Sequence, residues 1–116
     1  MNHFIVINLA TGSLFYFEGN QMLGRYTVAI GRPATPTPPG TYQITEKEIL
    51  PLPEPGGADL GSRRLILSSA KTCVHGSWHG PVMGQVSGGC VRMRNEDIEE
   101  LFPKVEVGTP VIMIGE

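Results

Sequence analysis

Long hydrophobic runs are missing from this chain of 116 residues. A membrane-spanning helix needs roughly 18 or more consecutive apolar residues, and no such stretch occurs, so we expect no membrane span. The N-terminal segment 1–8 is too short and too regularly alternating for a secretory signal peptide, and it predicts a strand instead. We therefore expect any export signal to lie outside this sequence or to be of another kind.

An excess of one charge is also missing, because nine basic residues stand against eleven acidic ones and the formal net charge is -2. No basic patch dominates, which argues against a nucleic-acid partner. Cysteine is scarce: Cys73 and Cys90 are the only two, too few for a disulfide scaffold. They could form one disulfide, and the sequence leaves the redox compartment open.

Glycine and proline, by contrast, are abundant, with 15 and 10 residues respectively. Both interrupt helices, so this composition favours a fold that is rich in strands and loops. A chain of 116 residues can bury one hydrophobic core but has no room for a second. We therefore expect a single domain over residues 1–116.

Alternating apolar residues between turn-forming glycines and prolines predict a series of strands. The predicted ranges are 4–8, 13–18, 21–30, 41–49, 63–68, 71–75 and 111–114. One short helix is predicted with Asn95 as its N-cap, acidic residues in its first turns and Pro103 at its end. The glycine-rich segment 76–89 is expected to be irregular.

The segments 74–77 and 88–93 carry the most informative chemistry, because they pair His75 with a glycine-flanked Cys90. A thiol attacks a carbonyl well only as a thiolate, and an imidazole can take its proton and later return it to a leaving amine. Glycines let the backbone turn sharply and present its amides to a developing oxyanion. The pattern therefore predicts acyl transfer through a thioester.

Each of these side chains also has a simpler interpretation. A cysteine is often a small buried hydrophobe, but the loop of Ser87 and two glycines before Cys90 favours a nucleophile. Cys73 lies in an apolar strand and is expected to be buried or a spectator. Cys73, His75, His79 and Cys90 could in principle bind zinc, but no Cys-x-x-Cys pair is present, so we expect no metal.

Several neighbouring residues have two open interpretations. Arg92 could clamp a substrate carboxylate with its planar guanidinium, or it could form a salt bridge with Asp97 or another helix acid. His79 could reach the same cleft as His75 or be solvated on its loop. Ser77 and Ser87 are expected to orient the site by hydrogen bonding, and His3 is expected to have no part in the chemistry.

Three motifs now occur in a familiar order: GRPATPTPPGTYQI over 31–44, HGS over 75–77 and SGGCVRM over 87–93. With these motifs, and with VGTPV over 107–111, the chain resembles the L,D-transpeptidase catalytic domain, the YkuD-like family. The resemblance covers almost the whole chain. It departs from the family pattern at Gly88, where the family usually has a histidine.

The resemblance implies a mainly β fold, a mixed β-sandwich with one short helix after the catalytic cysteine loop. It also implies that the substrate is the stem peptide of bacterial peptidoglycan. Cys90 would attack the carbonyl of the third stem residue and expel the terminal D-alanine, with His75 as general base and acid. A neighbouring amine would then complete a 3→3 cross-link, whereas water as the acceptor would make the enzyme a carboxypeptidase.

Further roles follow from the same resemblance. The amides of Gly89 and Cys90 are the oxyanion-hole candidates, and a backbone carbonyl near Gly76 or Ser77 is expected to accept a hydrogen bond from the second nitrogen of His75. Residues expected at the site beside the nucleophile and base are Ser87 and Gly76, and those expected to bind substrate are Arg92, Ser77, Trp78 and His79.

No cofactor is implied, and a monomer at the cell wall with sensitivity to carbapenems is expected. Two other functions stay open. One is a non-catalytic module that binds peptidoglycan, with the change at Gly88 marking lost chemistry. The other is a hydrolase of unrelated peptides, which the lack of a recognisable third-group Asn or Asp motif makes weaker.

Overall fold

A computed structural model of the chain describes residues 2–115. Strands dominate the described part, with one α-helix followed directly by a 3-10 turn. The elements are β1 (His3–Asn8), β2 (Ser13–Glu18), β3 (Gln21–Gly31), β4 (Gly40–Ile49), β5 (Arg63–Leu67), β6 (Cys73–His75), β7 (Gly84–Ser87), β8 (Val91–Met93), α1 (Asn95–Leu101), the 3-10 turn (Phe102–Lys104) and β9 (Pro110–Ile114). Neither helical element of the described residues is long and apolar enough to cross a bilayer.

The strands form one nine-stranded sheet in the order β2-β1-β9-β4-β5-β6-β8-β3-β7. An additional pairing between β2 and β3 joins distant positions of this order, so the sheet closes on itself. β1 and β9 are parallel, as are β6 and β8, whereas β1–β2, β2–β3 and β4–β5 are antiparallel. The expected mainly β, mixed sandwich-like fold with one short helix is confirmed.

The interior of the closed sheet is filled by aliphatic side chains from most strands and from one face of α1. The largest fully or nearly fully buried residues are Ile5, Ile7, Leu14, Tyr16, Ile44, Leu65, Met93, Ile98, Leu101 and Met113. Val74 of β6 and Val91 of β8 are also completely buried. Because side chains alternate along a strand, the neighbours of these two valines project from the opposite face of the sheet.

Two strands that the sequence did not predict, β7 and β8, surround the glycine-rich cysteine loop. Each has only three or four residues, and β7 lies inside the segment 76–89 that was expected to be irregular. β7 pairs in parallel with β3, and β8 lies between β3 and β6. Pairing with distant strands therefore stabilises these segments, which local propensity alone does not favour.

The start of α1 also differs from the prediction. Arg94, not Asn95, occupies the N-cap position, and no side chain caps the helix there. Asn95 is buried, and its Oδ1 accepts a hydrogen bond from the Ser62 N–H at 2.6 Å while its Nδ2 donates to Glu99 at 3.1 Å. Asn95 thus attaches α1 to the start of β5 instead of capping its own helix.

Candidate active site

The register between β6 and β8 brings the predicted residues together. These strands are parallel, with Val74 beside Val91 and His75 beside Arg92. Both valines face the core. Cys73 and His75 therefore lie on the outer face of β6, and Cys90 and Arg92 lie on the same outer face in the β8 segment. The same register places Cys90, the residue before β8, next to Cys73.

The two cysteines are in direct contact, and both are half-buried, free thiols. Their Sγ atoms are 2.7 Å apart. A hydrogen bond from the Cys73 thiol lowers the pKa of Cys90 to about 7, against the opposing effect of burial, with further help from the Cys73 backbone N–H and from Arg64 and Arg92. The same contact raises the pKa of Cys73. The proton between the two sulfurs therefore stays on Cys73, which is half-buried and in direct contact with Cys90.

His75 completes this group. One nitrogen of its ring lies within 4.8 Å of both sulfur atoms. Its Nδ1 donates to the Gly76 carbonyl at 2.6 Å, the kind of carbonyl partner that was expected, so Nε2 carries the free lone pair. Burial lowers the pKa of this ring, which is 5% exposed, so the imidazole is neutral at pH 7 and able to accept a proton.

Position 76 requires glycine, because the backbone there passes so close to α1 that a side chain has no room. A Cβ atom on Gly76 would lie 2.7 Å from Asn95 Oδ1 and 2.8 Å from Ile98 Cγ2. The nearby Gly61 is equally confined, at 2.5 Å from the same Asn95 oxygen. Contacts of this kind fix the carbonyl that holds the His75 ring.

The cysteine loop is held by Ser87 and Gly89. Ser87 is almost completely buried, and its hydroxyl donates to the Cys90 carbonyl at 2.5 Å. The same hydroxyl accepts the Gly89 N–H at 3.2 Å. The orienting role expected of Ser87 thus has a direct geometric basis. The amide of Gly89, an oxyanion-hole candidate, is already used inside the loop, in a long hydrogen bond.

Two buried threonines that the sequence analysis did not single out hold the same loop from outside. Thr37 and Thr72 both donate to the Gly89 carbonyl, at 2.9 and 3.0 Å. Thr37 also accepts the Gly31 N–H at 2.8 Å, which links the proline-rich segment 31–44 to the cysteine loop. The position of Thr37 within that motif was the available signal, whereas nothing in the sequence marks Thr72.

A third residue that the sequence did not indicate, Asp59, organises the loop after His75. Its carboxylate accepts hydrogen bonds from the N–H groups of Trp78 and His79, both at 2.8 Å, and from the Ser77 hydroxyl at 3.1 Å. Partial burial alone would raise its pKa, but the backbone hydrogen bonds from Trp78 and His79 outweigh burial and lower the pKa to about 2. Asp59 lies in a loop whose glycines and prolines gave no sign of this role.

The variant Asp59→Asn should destabilise the protein, because an amide NH2 would face two donors that a carboxylate oxygen now accepts. We expect a loss of about 2 kcal/mol, or roughly 8 °C in Tm. The folded pKa lies below the ordinary 3.8, so this stabilisation is present above pH 3.8 and disappears as the pH falls through about 2. Thermal melts of both proteins at pH 7 would test it, and equal Tm values would contradict it.

Arg92 does not form the salt bridge that was its alternative interpretation. Asp97 pairs instead with Arg94, whose Nε lies 3.2 Å away. Arg92 Nη1 donates to the Pro81 carbonyl at 3.1 Å, and its buried Nε has no hydrogen-bond partner within residues 2–115. Within residues 2–115 the guanidinium therefore has no acidic partner that neutralises its charge.

Trp78 and His79 belong to a different surface feature from the group of Cys73, His75 and Cys90. Both are exposed, and with Ser77 they line a surface cleft whose other wall is the beginning of α1. His75 and Cys90 are not among the residues that line this cleft. Of the four residues considered as zinc ligands, Cys73, His75 and Cys90 lie together, and His79 is not part of their group.

Comparison with known proteins decides the family. The family model described as L,D-transpeptidase catalytic domain matches residues 2–113. The chain belongs to the L,D-transpeptidase catalytic domain family. It is 34% identical to the L,D-transpeptidase YkuD of Bacillus licheniformis over 108 residues, covering 92% of this chain and 62% of that protein.

Solved structures agree with this fold. The NMR structure of the catalytic domain from the E. faecium L,D-transpeptidase matches with a TM-score of 0.79 at 22% identity, covering 97% of both chains. The LD transpeptidase LdtMt1, solved in complex with imipenem, matches with a TM-score of 0.80 at 20% identity, covering 97% of this chain and 58% of that one. This L,D-transpeptidase-family chain thus spans a little over half the length of several longer relatives.

Proposed function

We propose that this domain is a cysteine acyltransferase that acts on the stem peptides of peptidoglycan. The observation that carries the proposal is the group of Cys73, His75 and Cys90 on the outer face of β6 and β8. It combines the Cys90 thiol, whose pKa is lowered to about 7, with a neutral imidazole within 4.8 Å. A nucleophile of this kind next to a base, with the base itself oriented by a carbonyl, is the arrangement that acyl transfer requires.

In the first half-reaction, His75 Nε2 takes the Cys90 proton and the thiolate attacks the carbonyl carbon of the third stem residue. The C–S bond forms, and the carbonyl electrons move to oxygen as an oxyanion. When the oxyanion collapses, the C–N bond to the terminal D-alanine breaks, and the imidazolium gives its proton to the departing amine. The product is a thioester on Cys90 and free D-alanine.

In the second half-reaction, an acceptor attacks the thioester carbonyl and His75 takes the acceptor's proton. An amine from a neighbouring stem gives a cross-link, whereas water gives a shortened stem and hence carboxypeptidase activity. The Cys90 thiolate leaves and is reprotonated. Because the residues of the site carry out both outcomes in the same way, access of the acceptor to the thioester sets the balance between them.

Stabilisation of the oxyanion is assigned to the backbone amides of Gly89 and Cys90. The Gly89 N–H must exchange its 3.2 Å hydrogen bond with Ser87 for one to the oxyanion. A charged acceptor forms a stronger hydrogen bond than a hydroxyl, so the exchange favours the transition state. Removal of one such donor typically lowers the rate by on the order of 100-fold or more.

Substrate contacts are assigned to Arg92 and to the loop of Ser77, Trp78 and His79. The charge of Arg92, which no acidic side chain of the described residues neutralises, lies next to His75 across β6 and β8 and suits a carboxylate of the stem. The indole of Trp78, 38% exposed, offers an apolar surface at the edge of the cleft. Because its proposed substrate is peptidoglycan, the domain acts at the cell wall. The β-lactam carbonyl of a carbapenem such as imipenem can acylate the same Cys90 sulfur.

The test of this function is incubation of the purified protein with a disaccharide tetrapeptide, followed by separation of the products. D-alanine release with a dimeric muropeptide is the expected result, and release without a dimer would indicate a carboxypeptidase. Binding of the muropeptide with neither product would overturn the proposal in favour of the non-catalytic binding module.

The contact between the two sulfurs predicts a change in the pH profile of the variant Cys73→Ala. The acylation rate of the wild type should rise with pH around an apparent pKa of about 7, because the thiolate is the reactive form. Loss of the Cys73 donor should move this midpoint upward, toward the ordinary value of 9.0, while Arg64 and Arg92 continue to favour the thiolate. Acylation rates between pH 5 and 10 would measure it, with Cys73→Ser as the control that keeps a donor; an unchanged midpoint in Cys73→Ala would contradict it.

Gly88, where the family usually has histidine, should accept that residue without cost. A Cβ atom at this position meets nothing within 4 Å, whereas Gly89, with φ of +130°, would be strained by any side chain. We expect Gly88→His to keep its Tm and to release D-alanine a few-fold faster, while Gly89→Ala loses both stability and activity. Equal losses in the two variants would show that the loop tolerates no side chain at either position.

A further inference from the structure

The proximity of Cys73 to Cys90 is more than the acyl transfer requires. The nucleophile and its base are Cys90 and His75. Cys73 lowers the pKa of the nucleophile, but neither half-reaction makes or breaks a bond to a second sulfur. Nevertheless β5, β6 and β8 pair in a register that holds the two sulfurs 2.7 Å apart. Both thiols are half-buried rather than enclosed, so a small molecule can reach them.

The backbone also permits a covalent link. Neighbouring strands are separated by about 4.8 Å, and disulfides span Cα–Cα distances of roughly 4.4–6.8 Å. Cys73 begins β6 and Cys90 directly precedes β8, at the position that continues the β6–β8 register, so a bond between them needs no movement of the sheet.

We propose that Cys73 is a resolving cysteine: a peroxide oxidises Cys90, and Cys73 then closes a reversible disulfide that blocks acyl transfer. The regulatory meaning of this step rests on the proposed function, since it is the acyltransferase nucleophile that the disulfide removes. The formation of the disulfide itself does not depend on that function.

The chemistry is balanced with hydrogen peroxide as the oxidant. The Cys90 thiolate attacks one peroxide oxygen, the O–O bond breaks, and hydroxide leaves, which gives a sulfenic acid on Cys90. The Cys73 sulfur then attacks the Cys90 sulfur, the S–S bond forms, and the second hydroxide leaves and takes the Cys73 proton as water. Two thiols and one peroxide thus become one disulfide and two waters.

The order of the two cysteines follows from their surroundings. Cys90 is the thiol that ionises near neutrality, so it is the one that meets the peroxide first. Its negative charge is one of the causes that hold the proton on Cys73. Formation of the neutral sulfenic acid removes that charge, and Cys73 becomes free to react.

A metal site formed by Cys73, His75 and Cys90 is less compatible with this geometry. Two thiolates on a tetrahedral zinc ion, each with a Zn–S bond of about 2.3 Å, lie about 3.8 Å apart. The observed separation of the sulfurs is 2.7 Å, which is well below this value. Metal–ligand distances usually vary by only about 0.2 Å, so such variation does not account for the difference. The sulfurs would have to separate to admit a metal, whereas they need only approach to form a bond.

The experiment treats the full chain with hydrogen peroxide in buffer that contains EDTA, and follows intact mass, free thiol number and D-alanine release. We expect the loss of two hydrogens, both thiols blocked, a monomeric band on a non-reducing gel, and full recovery of thiols and activity with dithiothreitol. Addition of two or three oxygens to Cys90 in the wild type, or retention of both thiols at peroxide levels that oxidise Cys90 in Cys73→Ala, would overturn the proposal.

The variants Cys73→Ala and Cys73→Ser separate a resolving role from a structural one. Both should pass beyond sulfenic acid to sulfinic acid, with activity that dithiothreitol cannot restore, whereas reduced samples of both should give wild-type far-UV circular dichroism. Should the wild type form the disulfide while its reduced form releases no D-alanine, the proposed function fails and the disulfide stands. Should reduced protein be active but never form the disulfide, only this inference fails.

Discussion

Cys90→Ala should lose D-alanine release by at least about 10⁴-fold, down to background, because the variant lacks the sulfur that forms the thioester. The same variant should still bind the tetrapeptide, since the substrate contacts assigned to Arg92 and the Trp78 loop do not involve the sulfur. Its thermal stability should change little, because Cys90 is half-buried at the start of β8 and leaves no large cavity. Product analysis by chromatography and binding by calorimetry would measure both expectations.

Cys73→Ser is the matched control, because it removes the other sulfur of the contact pair and keeps a hydroxyl donor beside Cys90. Measured at pH 9, where Cys90 ionises without much help, this variant should retain most of its activity. Residual D-alanine release by Cys90→Ala at more than one hundredth of the wild-type rate would contradict the assignment of the nucleophile. So would loss of activity in Cys73→Ser with full activity in Cys90→Ala, which would move the nucleophile to Cys73.

His75→Gln has the second largest expected effect, a loss of about 10²–10⁴-fold in kcat. Glutamine can still donate to the Gly76 carbonyl, so the loop should keep its shape, but it can neither take the thiol proton nor return one to the departing D-alanine. KM should change little, because the ring is buried and is not among the residues assigned to substrate binding. Raising the pH should restore thiolate formation in part but not the protonation of the leaving amine.

His3→Gln provides the control for this substitution. His3 lies on β1, where its Nε2 is 3.1 Å from the Thr109 hydroxyl, and it is not part of the group around Cys90. Activity of His3→Gln within about twofold of the wild type is expected, since His3 has no assigned part in either half-reaction. If both histidine variants lost activity equally, or if His75→Gln recovered completely at high pH, His75 would not be acting as general acid.

The framework of the fold could be predicted because its strands follow simple alternation. β2 has the predicted bounds, and the other predicted strands differ by one or two residues at an end. β7 and β8 could not be predicted, because each is too short to show a period and because Gly88 and Gly89 interrupt the segment between them. Their existence depends on β3 and β6, which are distant in sequence.

The candidate site divides in the same way. His75 and Cys90 were predicted from local motifs, because a glycine turn after a strand is visible in the sequence. The contact of Cys73 with Cys90 depends on the register of two parallel strands, and register is not written in either strand alone. The anchoring by Asp59 depends on where a proline-rich loop folds back, which no local pattern reveals.

Asn95 shows how tertiary contacts override a local signal. An asparagine before acidic residues is a reasonable N-cap, yet its side chain bonds instead to the Ser62 N–H at the start of β5. A buried backbone amide left without a partner would cost about 1–3 kcal/mol. An exposed cap contributes about 1 kcal/mol, so the buried hydrogen bond to Ser62 stabilises the fold at least as much as the cap would.

The central claim is that Cys90, made reactive by Cys73 and His75, accepts an acyl group. Its most direct test is intact-protein mass spectrometry after incubation of the reduced protein with imipenem, followed by peptide mapping. The account predicts one covalent adduct per chain on Cys90, formed faster as the pH rises through about 7. The absence of any adduct on folded, fully reduced protein, or an adduct mapped to Cys73 alone, would contradict it.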